Sequence, residues 1–238
     1  MWMPQSWKQG QVRLIPTMTS HKPLVMHNPS HYSMHTTTCT PHMVAWWLRD
    51  SMTTLCSPSQ CAFIASRYIR NNIVLVNSLI DANTDGVIMM LDWAKAYDSV
   101  DHGYLEKVVF CMGCDGIGLQ RLMSTAKGFT LHVIGSQSVS ESFSRERGVG
   151  QGCPLAPFLF ALAIEPLSQM LKQTMTAMQI HHIHVKQHIK HAPVAMCADD
   201  TTTFANRYHH ITHAMDAIQC HMDASSAPIN RGKSNKGL

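Results

Sequence analysis

Apolar positions along this chain change their spacing several times, and each change predicts an element. Ile69, Ile73, Val76 and Ile80 recur at helical intervals and predict an amphipathic helix over about 66–82. Asn83-Thr84-Asp85-Gly86 has turn composition, and Val87 to Leu91 is a short unbroken apolar run that suits a buried strand. Asp101 stands as N-cap for a helix burying Leu105, Val108, Val109 and Met112, with Gly113 as its stop. Phe129 to Val133 and Val139 to Phe143 flank Gly135-Ser136-Gln137-Ser138 and predict a hairpin. From Pro154 a helix runs toward Leu171; its stretch 158–164 is apolar all round and should be buried, Pro157 fits its first turn and Pro166 should kink it. Residues 194–205 read as strand, turn, strand with two aspartates at the tip. A last helix carries Ile211, Ala214, Met215, Ile218 and Met222 on one face. Near the start, the stretch from Trp7 to Pro16 reads as a short strand, whereas 27–41 has no period and reads as loop or disorder. Strands and helices mixed in this way around one antiparallel sheet indicate an α+β fold.

Composition narrows the class. The 238 residues are 45% apolar and 14% charged with a net charge of +4, which is globular but charge-poor. Residues 1–49 hold no Asp or Glu but do hold Lys8, Arg13, Lys22 and Arg49, a segment that either touches phosphates or is a solvated tail. The eight cysteines form no even framework, so reduced thiols are expected. Cys111 and Cys114 make a single Cys-x-x-Cys, with Cys111 on the predicted buried face of its helix. No signal-peptide core opens the chain and no stretch reaches the roughly 20 apolar residues of a span. A soluble intracellular protein follows, in nucleus or cytoplasm, with no membrane partner and no protein partner predictable. Among the 16 histidines, His184 and His188 have i,i+4 spacing, but the Glu of a His-Glu-x-x-His site is missing and Pro193 follows; a polar loop is the better reading than a zinc site.

The chemistry is concentrated in two acidic patches. Asp92 follows the apolar run 87–91, and Asp199-Asp200 follow Ala195-Met196-Cys197-Ala198. Aspartates at the ends of buried strands are costly to desolvate unless a cation or donor compensates them. Each patch alone is equally readable as strand-end and turn aspartates. The segments around them decide the matter: Ser57-Pro58-Ser59-Gln60-Cys61-Ala62-Phe63-Ile64 with Arg67, Ile69 and Asn72; Leu91-Asp92-Trp93-Ala94-Lys95-Ala96-Tyr97-Asp98-Ser99-Val100; Arg147-Gly148-Val149-Gly150-Gln151-Gly152-Cys153-Pro154-Leu155; Cys197-Ala198-Asp199-Asp200; and the stretch from Asp223 to Ser234 with its Asn230-x-x-Lys233 element. In this order, over roughly three quarters of the chain, they resemble the reverse transcriptase domain of non-LTR, LINE-like retrotransposons.

The resemblance implies a right-hand polymerase palm with partial fingers and no complete thumb, organised as a degenerate fingers segment over 1–56 and a fingers and palm domain over 57–238. It implies an RNA-directed DNA polymerase that transfers a nucleotide from dNTP to a DNA primer 3′-hydroxyl on an RNA template. The metal ligands would be Asp92, Asp199 and Asp200, holding two Mg2+ ions or Mn2+ in their place, with Lys233 as acid toward the departing pyrophosphate. Tyr97 would lie under the sugar and exclude a 2′-hydroxyl, while Arg147, Gln151 and Gly152 would contact substrate. Asp98 would be structural, an N-cap or the partner of a nearby cation. The chain departs from the pattern at Cys197, where the family has tyrosine, at Ser226, where it often has glycine, and at Asn71, where aspartate is common; a basic fingers motif is not recognisable. The alternative reading is therefore an inactive reverse-transcriptase-like remnant that at most binds nucleic acid.

Overall fold

A computed structural model describes residues 9–13, 39–82, 87–127, 130–134, 139–150, 152–177, 194–205, 208–230, 232 and 234–237. Two sheets form among the described residues, and with the helices they make an α+β fold. The larger has four antiparallel strands in the order β5 (Val194–Cys197), β6 (Asp200–Ala205), β2 (Val87–Leu91), β7 (Asn235–Gly237). The smaller places β3 (Thr130–Ile134) between β1 (Gln9–Arg13), to which it runs parallel, and β4 (Phe143–Ser144), to which it runs antiparallel. The predicted hairpin thus forms, with Thr130 opposite Ser144 and Leu131 opposite Phe143; its turn lies outside the described residues.

Seven helices occur among the described residues: α1 (Cys39–Leu55), α2 (Ile69–Ala82), α3 (Ala96–Ser99), α4 (His102–Cys111), α5 (Gly116–Ser124), α6 (Ala156–Ala177) and α7 (Tyr208–Ser225). The hydrophobic centre is α6. Leu159 to Ile164 are all buried, and Leu167, Leu171 and Met175 extend the same core, which α4 and α7 close from outside through Leu105, Val109, Ile211 and Ile218. Pro157 sits in the first turn of α6, where a missing N–H leaves no bond unmade, and Pro166 lies inside it. The N-cap of α4 is Asp101, whose side chain accepts from the Tyr104 N–H at 2.8 Å, and Gly113, at φ 90°, ends the segment.

Three expectations are corrected. Residues 39–41 begin α1 instead of continuing a loop, and that helix buries Ala45, Leu48 and Met52. Of the stripe predicted on α2, Val76 does pack toward the sheet, beside Leu75 and Asn72, whereas Ile69, Ile73 and Ile80 are exposed. The cause is polar: the Asn72 carboxamide donates to the Met196 carbonyl at 2.8 Å, and that bond turns the neighbouring row inward. Cys111 is exposed, because α4 buries positions 105, 108 and 109 and leaves 110 and 111 outside. The histidines at 181–191 lie outside the described residues.

Candidate active site

The central strands bring the two acidic patches together by register. In the antiparallel β2 and β6 pair, Leu91 stands opposite Thr201. One step further along both chains stand Asp92 and Asp200, and directly opposed residues of such a pair have Cα atoms about 5 Å apart. Side chains alternate across a strand, so Asp92 leaves the face that Leu91 and Thr201 bury and shares the opposite one with Met90 and Thr202. Cys197 pairs with Asp200, which makes Ala198 and Asp199 the two-residue loop of the β5–β6 hairpin. Asp199 therefore lies in the loop that adjoins Asp200. Farther along this face α2 covers Ala195, Phe204 and Ile88, while Met90 and Asp200 stay exposed. The carboxylates thus lie at the open end of a face closed elsewhere.

Trp93 turns the other way and anchors the segment. It is buried, its indole N–H donates to Thr201 Oγ1 at 3.4 Å, and its ring meets the His221 imidazole edge to face at 5.3 Å. The His221 Nδ1 is 3.3 Å from the Tyr104 hydroxyl, which donates to the Ala163 carbonyl at 3.1 Å. Burial pulls the His221 imidazole down to about 4.

Asp92 is held from the C-terminal side. Asn230 Nδ2 donates to Asp92 Oδ2 at 2.9 Å, the Asn230 N–H donates to the Asp92 carbonyl at 2.8 Å, and the Asp92 N–H donates to Ser234 Oγ at 3.3 Å. The Asp199 turn is held from the other side of the molecule by Gln60, a fully buried residue whose Oε1 accepts from the Ala198 N–H at 3.0 Å. Sequence reasoning quoted Gln60 and Asn230 within motifs but gave neither a role. The signal available was a carboxamide amid apolar neighbours, which is costly to bury unless it bonds to backbone or to another polar group.

Tyr97 is half-buried, stacked on Phe160 with ring centroids 4.8 Å apart. Its phenol is pushed up to about 12, mainly by burial and then by the negative charge of Asp199, which places it beside the turn. Asp98 lies within the field of Lys95 and Arg145, yet burial outweighs both cations and lifts its carboxyl above the usual range. Gly148 has φ 84° and lies so close to the Tyr97–Asp98 backbone that a Cβ would stand 2.9 Å from Asp98 Cα and from the Tyr97 carbonyl. Its N–H donates to the Val100 carbonyl, Val149 N–H to that of Tyr97, and His102 Nε2 to the Gly148 carbonyl, each at 2.8 Å. The glycine-rich segment is thereby bolted to the first acidic motif. Gly152, at φ 85°, and Arg147 are exposed, Arg147 pairing through its backbone with Asp101. Gln151 and Lys233 lie outside the described residues.

The donor set fits a hard divalent cation. Among the described residues no three carboxylate, imidazole or thiol groups are gathered so that together they could hold a metal ion. Magnesium does not require three such groups, since it is commonly bound through one or two carboxylates, waters and substrate phosphates. An open row of carboxylates at a strand end, with one oxygen of Asp92 already engaged by Asn230, has that character.

Comparison with known proteins agrees with this layout. The profile of the family described as reverse transcriptase (RNA-dependent DNA polymerase) matches residues 33–238. A transposon TX1 protein of Xenopus laevis of 149 kDa is 28% identical over 194 residues, which are 79% of this chain and 14% of that protein. The retrovirus-related Pol polyprotein of a type-2 retrotransposable element of Drosophila melanogaster is 33% identical over 84 residues, 35% of this chain and 8% of that polyprotein. The chain thus spans a small fraction of the length of these relatives. Telomerase of Candida albicans superposes with a TM-score of 0.56 at 12% identity, over 83% of this chain and 33% of that one. Apo telomerase of Candida tropicalis gives 0.55 at 14% identity, over 84% and 39%. At such identities the likeness is one of fold.

Proposed function

The chain belongs to the reverse transcriptase (RNA-dependent DNA polymerase) family, and from that membership we propose that it extends a DNA primer on an RNA template, with Asp92 and Asp199 as the metal ligands and Asp200 in support. The observation that supports the reading is the register of the central strands, in which Leu91 stands opposite Thr201, so that Asp92 and Asp200 follow at the same end of the pair with Asp199 in the adjoining loop. Two divalent cations, Mg2+ or Mn2+, held about 3.5–4 Å apart would stabilise the attacking and leaving oxygens of an in-line displacement at the dNTP α-phosphate. The protein's part is to hold its carboxylates fixed and open to substrate. Asn230 orients one oxygen of the Asp92 carboxylate.

Tyr97, packed on Phe160 beside the turn, is in the place to lie under the sugar of the incoming nucleotide and to leave no room for a 2′-hydroxyl. Gly152 presents bare backbone on the surface and Arg147 an exposed guanidinium; both suit contact with nucleotide or template phosphate. Gln151 and Lys233 complete the set by resemblance, the lysine as proton donor to pyrophosphate.

Primer extension on an RNA template with Mg2+ and dNTPs tests the reading directly. The expected result is extension that Asp199→Asn lowers by at least about 100-fold, the scale of losing a charge that acts in the transition state. Extension unchanged by that substitution removes the assignment. No extension, with template-primer duplex still bound in a salt-dependent manner, identifies a non-catalytic nucleic-acid-binding descendant instead.

A further inference from the structure

We infer that Gln60 is a positioning residue for the metal-binding turn: its carboxamide holds Ala198 in a left-handed backbone conformation and so fixes where Asp199 presents its carboxylate. The inference rests on the proposed role of Asp199 and concerns a residue 138 positions away from the turn in sequence. Its starting point is a local conflict. The β5–β6 loop has only two residues, and its first, Ala198, has φ 54° while Asp199 does not share the positive angle. Glycine is the ordinary occupant of such a position. Alanine there costs about 1–2 kcal/mol and has no polar side chain to bond its own backbone. Something outside the hairpin must hold it.

Gln60 meets that need on both sides of the residue. Its Oε1 accepts from the Ala198 N–H at 3.0 Å, and its Nε2 donates to the Ala198 carbonyl at 3.3 Å. The same Oε1 accepts from the Ala62 N–H at 3.0 Å, and the side chain has no exposed surface. The clamp is itself fixed. Cys61 N–H donates to the Met196 carbonyl and Met196 N–H to the Ser59 carbonyl, each at 2.9 Å, so the segment runs as a parallel extension along β5. The Arg67 guanidinium gathers the carbonyls of Thr53, Cys56, Ser57 and Gln60, and Ser57 Oγ lies 2.6 Å from Ser168 Oγ on α6. A rigid path therefore leads from the core helix through the 57–60 segment to the loop that carries Asp199.

A simple anchoring role and a positioning role are separable in the full chain. Gln60→Met keeps length and removes the amide; Gln60→Glu keeps the accepting oxygen should Met fail to fold. Ala198→Gly relieves the need for a clamp, because glycine holds a positive φ unaided. Mn2+ binding followed by electron paramagnetic resonance without nucleic acid, together with the Mg2+ dependence of primer extension, reads the turn. Expected is a 10- to 100-fold weaker Mn2+ site in Gln60→Met, or in Gln60→Glu, on the scale of about 10–100-fold seen when a residue orienting a metal ligand is lost. Adding Ala198→Gly should recover most of that loss. Lowered melting temperature with unchanged Mn2+ affinity, or no recovery by Ala198→Gly, overturns the inference. Asp199→Asn is the control for the underlying reading. If it binds Mn2+ as the native chain does, the metal role of Asp199 fails, and amide exchange at Ala198 then decides the clamp: faster by 10-fold or more in Gln60→Met sustains it, unchanged exchange ends it.

Discussion

The two sheets of this protein are supported in different ways. In the four-stranded sheet, Val87, Met89 and Leu91 of β2 face the helical core, Phe204 and Ala195 pack under α2 on the other side, and Asp200 at the end bearing the aspartates is exposed. The three-stranded sheet buries Leu131 but leaves Phe143 at 44% and Val139 at 63% exposure. The difference teaches where positional accuracy is built. The carboxylates proposed as metal ligands stand at the end of a sheet packed from both faces and tied by side-chain bonds at Asn230 and Gln60. The smaller sheet is tied by exposed side-chain bonds, Val133 N–H donating to Ser140 Oγ at 2.9 Å and His132 Nδ1 lying 3.2 Å from the Ser140 carbonyl.

The joint between the regions is the place where a single change should do most damage. Gly148 follows β4 by four residues and packs on the Tyr97–Asp98 backbone. A methyl there must be accommodated at φ 84°, with backbone atoms at 2.9 Å that have no freedom to move. Left-handed strain and overpacking together put the loss for Gly148→Ala on the order of 4 kcal/mol. Urea denaturation measures it. A loss under about 1 kcal/mol would mean that the segment lifts off freely and that the two regions are not bolted together as described.

Acid should reach the four-stranded region next. His221 is buried against Trp93 and Tyr104, and its folded value of about 4 lies below the ordinary 6.5. A lowered value means that the unfolded chain takes up a proton which the folded chain refuses. The contribution is fully present above pH 6.5, is lost as pH falls from 6.5 toward 4, and changes no further below that. The loss amounts to about 3 kcal/mol. Denaturation at pH 7, 6, 5 and 4.5, compared with His221→Phe, isolates it; an equal pH slope in the variant would assign the acid sensitivity to other groups.

The strands of both sheets were largely legible in the sequence, β7 of the larger one excepted, but their division between the two sheets and their packing against helices were not. Strand β2 falls on the predicted apolar run, the hairpin on 194–205, and α4 between Asp101 and Gly113, because each carries a local punctuation mark. The parallel partner of β3 was out of reach, since pairing across more than a hundred residues leaves no local trace. The partly wrong stripe of α2 came from counting isoleucines, when the orienting residue was polar: Asn72, bonded to the β5 backbone. Asp92, Asp199, Asp200 and Tyr97 are proposed as site residues from the motifs that contain them. Gln60 and Asn230 were not singled out, because a carboxamide declares its role only when the backbone it serves is in view.

The finest test of the comparison is a matched pair of exchanges between valine and threonine, which have nearly the same shape. Thr203 sits in the middle of β6 between Val194 and Met89 at 2% exposure, and among the described residues its hydroxyl finds no partner. Burying that hydroxyl unpaired costs folding free energy, so Thr203→Val should stabilise the chain by about 1 kcal/mol. Val139, beside the smaller sheet, is mostly in solvent, where a hydroxyl is as well hydrated folded as unfolded. Val139→Thr should then change stability by less than about 0.5 kcal/mol. Parallel urea melts of the two variants read the contrast. Equal and small effects would mean that the interior of the four-stranded sheet admits water to Thr203, and with water there the difference in packing between the two sheets would vanish at its centre.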